Sequence, residues 1–158
     1  MNNSFKQYRI TKYNPVYRVN GVYTKDEWIS MYDVGESFDG KTFTFEEYLS
    51  VEKSYLNVIE MVLQKLNIRK VRIKQGENMY SRLNNSTLRS HEEVISVARG
   101  CLREEFWCKL VSKDFFVHFG YDYYMYIGAN IEEEQMTKIA RENGLFAEPI
   151  QRSPHLDF

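Results

Sequence analysis

The stretch Phe106–Ile127, FWCKLVSKDFFVHFGYDYYMYI, constrains the fold most strongly. Aromatic and β-branched residues crowd it, and the turn-forming groups Ser112-Lys113-Asp114 and Gly120-Tyr121-Asp122 divide it into three short strands. Connections this short permit only antiparallel pairing, because a parallel crossover needs a dozen residues or more. Side chains alternate along a strand. Phe115, Val117 and Phe119 therefore share one face and Phe116 and His118 the other. On the next strand Tyr123, Met125 and Ile127 stand opposite Tyr124 and Tyr126. Neither face is plainly polar. Such a sheet is either covered on both sides or offers its tyrosines to a partner, and tyrosine suits both roles because its ring buries area while its hydroxyl seeks a hydrogen bond. Core plus cover is the simpler expectation.

Around this meander the chain reads as a single α+β domain, an antiparallel sheet packed with about three helices. Tyr8–Thr11 is a candidate strand, and Tyr13-Asn14-Pro15 a turn. Asn20-Gly21 within YRVNGVY asks for a two-residue type I′ hairpin. Thr24-x-x-Glu27 has the form of a capping box, which predicts a short helix over Lys25–Met31, and the glycine-rich, acidic Asp33–Lys41 reads as a loop. Thr44 with Glu47 opens the longest helix, Phe45–Leu66, about 33 Å long at 1.5 Å per residue. Its apolar face runs Phe45, Tyr48, Leu49, Tyr55, Leu56, Ile59, Val62, Leu63 and Leu66. Glu52 projects into that face. It is read as a boundary residue reaching for water, since the alternative, a buried carboxylate, demands a partner.

Asn67 is placed to cap the helix, and Val71–Ile73 follows as a strand. Gly76–Asn85 is polar and irregular. Ser90 with Glu93 opens a second helix over His91–Glu105, in which Gly100 would cost up to about 1 kcal/mol relative to alanine unless close packing needs it. Asn130 is expected to cap a third, Ile131–Asn143, with Glu132, Glu133 and Glu134 at its start, a Glu134–Lys138 pair on its surface and Gly144 at its end. Leu145–Ile150 is a last candidate strand, and Gln151–Phe158 a tail.

A chain of 158 residues with 43% hydrophobic and 27% charged content fits one soluble globular domain. No apolar run spans a bilayer, and the N-terminus lacks the apolar core of a signal peptide, so the expected compartment is the cytoplasm. Cys101 and Cys108 match no zinc spacing and make no disulfide framework. They are read as reduced packing residues.

No phosphate-binding glycine loop, HExxH, GxSxG or clustered metal spacing is present, so no catalytic residue, metal or cofactor is assigned. His118 lies mid-strand among aromatics and reads as a packed residue, although a histidine there offers a route to a small hydrolase or nuclease. His91 falls in the first turn of a helix and His155 in the tail. Lys65, Arg69, Lys70, Arg72 and Lys74, with Tyr80 nearby, offer a nucleic-acid-binding alternative, but a net charge of −1 and the lack of an RNP-type pattern speak against it as the main role.

The acids are concentrated. Between Asp26 and Glu52 stand eight carboxylates against Lys41 alone. A negative surface of this kind speeds association with cationic enzymes such as nucleases and covers a phosphate-binding groove. The candidate partner-binding residues are Glu27, Asp33, Glu36, Asp39, Glu46 and Glu47, with Tyr121, Tyr124 and Tyr126 as aromatic anchors.

Tyr13-Asn14-Pro15-x-Tyr17-Arg18, Gly21-x-Tyr23, Glu27-Trp28, Asp33-x-Gly35 and the run His118-Phe119-Gly120-Tyr121-Asp122-Tyr123-Tyr124-Met125-Tyr126 resemble small bacterial proteins that serve as immunity partners of polymorphic or contact-dependent toxins. The resemblance spans nearly the whole chain. It implies a cytoplasmic, non-enzymatic protein that binds and neutralises one cognate toxin domain, and it carries over no catalytic residues. It leaves the toxin's activity and the oligomeric state open.

Overall fold

The computed structural model describes residues 5–156. The meander forms as its turns require. Strands β8 (Trp107–Val111), β9 (Phe115–Phe119) and β10 (Met125–Ala129) pair in sequence, all antiparallel. The sheet then grows on both sides by long-range pairing. β1 (Lys6–Thr11) adds to β10, and β11 (Phe146–Ile150) to β1. On the other side β6 (Val71–Glu77) adds to β8, and the short β7 (Thr87–Leu88) to β6. The result is seven strands in the order β11-β1-β10-β9-β8-β6-β7. Pro149 falls in an edge strand, where its missing N–H is tolerated.

Helices α1 (Phe45–Lys65), α2 (His91–Leu102) and α3 (Glu133–Glu142) cover one face. There Tyr8, Ile10, Ile73, Cys108, Leu110, Val117, Met125 and Ile127 merge with Tyr55, Ile59, Leu63, Val94, Ala98 and Met136 in a single core. Two capping boxes act as their sequences ask. The Thr44 hydroxyl accepts from the Glu47 N–H at 3.2 Å and the Ser90 hydroxyl from the Glu93 N–H at 3.1 Å. Asn67, at φ +52°, ends α1, and the Ile68 N–H returns to the Leu63 carbonyl at 2.9 Å.

The opposite face carries no helix. Phe116, His118 and Tyr126 are nevertheless buried, His118 and Tyr126 because the segment after β11 folds back across them, and Phe116 beside Phe5 and His118. Ser153 donates its N–H to Gln7 Oε1 at 2.6 Å and places its hydroxyl 2.9 Å from His118 Nδ1, while the His155 ring lies 5.8 Å from both Trp107 and Tyr126. The stretch read as a tail is thus the cover of the outer face. Its last two residues lie outside those described.

Several local expectations are corrected. Residues 24–30 form no helix. The Thr24 hydroxyl donates to the Tyr17 carbonyl at 2.5 Å and Glu27 is engaged by Lys12 and Tyr23, so neither is free to cap, and only a 3-10 turn, Met31–Asp33, follows Ser30. The 33–41 loop contains a small hairpin, β4 (Ser37–Phe38) with β5 (Lys41–Thr42), turned by Asp39 at φ +53° and Gly40 at φ +75°. β6 continues to Glu77 through a bulge beyond Lys74. α3 begins at Glu133, after Glu132 rather than Asn130, with no side-chain cap, and Lys138 pairs with Glu142 rather than Glu134. α2 stops at Leu102, three residues early, because Glu104 turns left-handed at φ +59°. Gly100 is needed there: a Cβ on it would lie 2.3 Å from Cζ of Phe106.

Glu52 overturns its boundary reading. It is 3% exposed and receives a two-pronged hydrogen bond from Arg103, Nε at 2.7 Å and Nη2 at 2.9 Å, with Arg99 Nε at 3.5 Å. The carboxylate in turn raises the Arg103 guanidinium above its ordinary value. Conversely Phe45 and Leu49, assigned to the apolar face of α1, are exposed, although Tyr48 between them is buried in the core.

Candidate interaction surface

Residues 12–44 contribute no strand to the seven-stranded sheet. They form two separate hairpins, β4–β5 and the Asn20-Gly21 hairpin β2 (Arg18–Val19) with β3 (Val22–Tyr23). Asn20 and Gly21 both take positive φ, as a type I′ turn requires. Aromatic side chains pin both hairpins to the end of the sheet where β9 turns into β10. Buried Tyr13 donates its hydroxyl to the Asp122 carbonyl at 2.6 Å, and its ring lies 4.9 Å from Tyr23 and 5.4 Å from Tyr124. Trp28 stacks on Phe43 at 4.5 Å and meets Tyr48 and Tyr123 edge-on. Tyr55 accepts from the Lys12 N–H at 2.7 Å and donates to the Tyr123 carbonyl at 2.9 Å. Burial raises the phenols of Tyr13, Tyr55 and Tyr123 well above their ordinary range, so they act here as neutral donors.

Lys12 is the charge held inside this cluster. Its ammonium lies 4.3 Å from the centres of both Tyr13 and Trp28 and 3.1 Å from Glu27 Oε1. Burial lowers its pKa, and Glu27 opposes that shift. Arg18 reaches from β2 to Tyr124, Nη1 to the hydroxyl at 2.8 Å, and to Glu148, which also binds Arg9 at 2.8 Å. The hairpins are therefore fixed by buried polar contacts as well as rings.

This end gathers the exposed apolar side chains. Eight of the ten large hydrophobic residues exposed among those described lie between Val16 and Leu49, including Val16 at 73% and the cross-strand pair Val19 and Val22. Tyr121, at 87%, sits beside Asp122, to which Tyr13 is bonded. Single exposed hydrophobics are ordinary, but their concentration at one end marks a contact surface. Asp26, Glu36, Asp39, Glu46 and Glu47 are exposed in the same segment, and none of them forms an ion pair among the described residues.

The structure divides the residues singled out in the sequence. Glu36, Asp39, Glu46, Glu47 and Tyr121 are exposed at the hairpin end. Glu27 is held by Lys12 and Tyr23, and Asp33 accepts from the Ile29 N–H at 2.8 Å, so both build the end rather than face outward freely. Tyr124 is half-buried under Arg18, and Tyr126 is buried beneath the C-terminal segment near His155, so it is no exposed anchor. The apolar residues Val16, Val19, Val22 and Tyr32 escaped the sequence reading. Their signal was the alternation around Asn20-Gly21, which reveals a hairpin but not that nothing covers it.

His118 lies in a cross-strand row on the outer face: Glu148 opposite Arg9, Arg9 opposite Tyr126, Tyr126 opposite His118. It is 2% exposed and stacked on Phe116 at 4.2 Å. Burial pushes its pKa down to about 3, with the charges of Lys109 and His155 acting the same way. A neutral, enclosed imidazole bonded to Ser153 is a packing residue in this arrangement. No group of three or more His, Cys, Asp or Glu side chains among the described residues could hold a metal, and no helix is long and apolar enough to cross a membrane. Comparison with protein-family models, with curated proteins and with solved structures finds no match to this chain.

Proposed function

We propose that the protein is an immunity-type inhibitor that uses its hairpin end to bind and neutralise a cationic cognate toxin domain, by contact and without chemistry of its own. The observation that carries this reading is the joint concentration of exposed apolar side chains and unpaired carboxylates between residues 16 and 49. Apolar and aromatic anchors supply desolvation energy at the centre of an interface, while rim charges steer approach and select a partner of opposite sign. The rigid mounting supports the same reading, because pre-ordered contact residues lose little entropy on binding. The segments that carry the resemblance to toxin immunity proteins are also those that build this end: Tyr13, Tyr23, Glu27, Trp28, Asp122 and Tyr123 are its internal contacts.

The test is charge reversal at exposed sites. With any toxin-like domain captured from the products of neighbouring reading frames as ligand, E36K/E46K/E47K is expected to slow association about tenfold or more at low salt, with the difference shrinking as salt rises. Association rates unchanged by these substitutions in a folded variant would remove the acidic surface from the account.

A further inference from the structure

Where carboxylates lie within reach, this protein pairs its cations: Lys6, Arg9, Lys12, Arg18, Arg99, Arg103 and Lys138 all meet an acid. Lys25, Lys41, Lys53, Lys113 and Arg141 are scattered without an ion pair among the described residues, and one segment concentrates such cations. Between Lys65 and Arg89 stand Lys65, Arg69, Lys70, Arg72, Lys74, Arg82 and Arg89, and none of the seven has a carboxylate partner among the described residues. Glu77 is the only acid in the segment, so seven cations against one carboxylate leave a local charge of +6 in a chain whose formal net charge is −1.

Lys65 closes α1 and Arg89 precedes α2, while two of these charges stand on the outer face of the sheet. Val71 and Ile73 turn into the core, so Arg72 and Lys74 lie on the outer face of β6. Both lean on Asn85, Arg72 Nη2 to its carbonyl at 3.3 Å and Lys74 Nζ to its Oδ1 at 3.2 Å, contacts that orient the cations without neutralising them. Pairing with the edge strand β7 covers Val71 and Arg72, the Ile73 backbone bonds to Ser86 and Asn85 just before it, and beyond Lys74 the bulge at Gln75, φ +52°, bends β6. The turn that follows presents Tyr80, 72% exposed, with the Arg82 guanidinium 5.2 Å from its ring centre.

We propose that this edge binds single-stranded nucleic acid, with Arg69, Lys70, Arg72 and Lys74 against phosphates and Tyr80 as a stacking platform for a base. Unneutralised cations spaced along a strand meet a repeating phosphate backbone, and an exposed ring beside an arginine is the element that favours an unpaired base over a duplex. An anionic membrane is the weaker fit, because the segment's aliphatic strand residues are buried and Tyr80 is the only large hydrophobic it exposes. This site stands on observations separate from the hairpin end.

The experiment is fluorescence anisotropy of a labelled oligouridylate with the full chain, titrated from about 50 to about 200 mM salt. Binding is expected to weaken with salt, with a log–log slope near −0.7 for each phosphate contact. R69E/K70E, at two exposed positions without hydrogen-bond partners among the described residues, should lower affinity at least tenfold and flatten the slope. Tyr80→Ala should lower affinity about tenfold with the slope unchanged, and E46K/E47K at the other end should not weaken it. If reversal at 69 and 70 disturbs the fold by circular dichroism, Arg82→Ala with Tyr80→Ala replaces it. The proposal is overturned by no anisotropy change at the lowest salt, by affinity that R69E/K70E leaves intact, or by binding to phosphatidylserine vesicles without binding to the oligonucleotide.

Discussion

An imidazole between Phe116 and the C-terminal segment, 2% exposed, has almost no water to stabilise a charge. His118 therefore gives the fold a pH dependence of definite sign. Its pKa is about 3 in the folded protein against an ordinary 6.5 in the unfolded chain. The stability its neutrality confers is fully present above 6.5, and is lost as pH falls from there toward 3, since the unfolded chain takes up a proton that the native site refuses. Between pH 7 and pH 4 the loss is on the order of 3 kcal/mol. Urea midpoints at the two values should fall farther for the wild type than for His118→Gln, the difference between the two being the histidine's share. An equal fall in both would mean that carboxylates alone set the acid limit. His118 was legible as a packed aromatic neighbour, but its partner was not. Ser153 lies thirty-five positions away, in a stretch that reads as a tail.

At the scale of elements, local signals succeeded where local contacts decide. The hydroxyls of Thr44 and Ser90 cap their helices by accepting the N–H three residues on, Ser90 while also donating to Glu93 Oε1 at 3.1 Å. Thr24 and Glu27 carry the same pattern and fail, since Tyr17, Lys12 and Tyr23 claim their side chains. Glu52 failed for the converse reason. Periodicity placed it on the buried stripe of α1, but its partners Arg99 of α2 and Arg103 just past that helix come about fifty residues on, and no spacing rule links them. That pair ties the two helices together. Arg103→Ala is expected to destabilise the protein by about 3 kcal/mol, because it removes the two-pronged partner of a buried carboxylate and leaves Arg99 at 3.5 Å and Tyr48 beside it. Replacing both residues, Glu52→Leu with Arg103→Leu, should cost less than the single change. A double-mutant cycle in denaturant reads the coupling directly, and additive losses would show that the pair does not act as a unit.

For the whole molecule, the aromatic meander was readable from residues 106–127 and the α+β class from the helical patterns on either side of it, since strand alternation, helical periodicity and short turns are local properties. The insertion of β1 between β10 and β11, and of β6 beside β8, was not, because those pairings join residues far apart in sequence. The same limit hid the hairpin end. The chain displayed its acids as a cluster, but only the fold shows that Glu36, Asp39, Glu46 and Glu47 stay outside while Glu27 and Asp33 are taken inward, and that Val16, Val19 and Val22 remain uncovered. A molecule results with an acidic, partly apolar end and a separate cationic edge. The central claim is that the first of these is a docking surface for a toxin. The measurement that bears on it most directly is co-expression of the tagged chain with the products of its neighbouring reading frames, followed by size-exclusion chromatography and a toxicity assay of any toxin-like domain among them, with wild type and E36K/E46K/E47K in parallel. The account predicts a stoichiometric complex and loss of toxicity with the wild type, and free toxin with restored toxicity in the variant. A folded wild-type protein that neither co-elutes with the domain nor protects against it would contradict the claim.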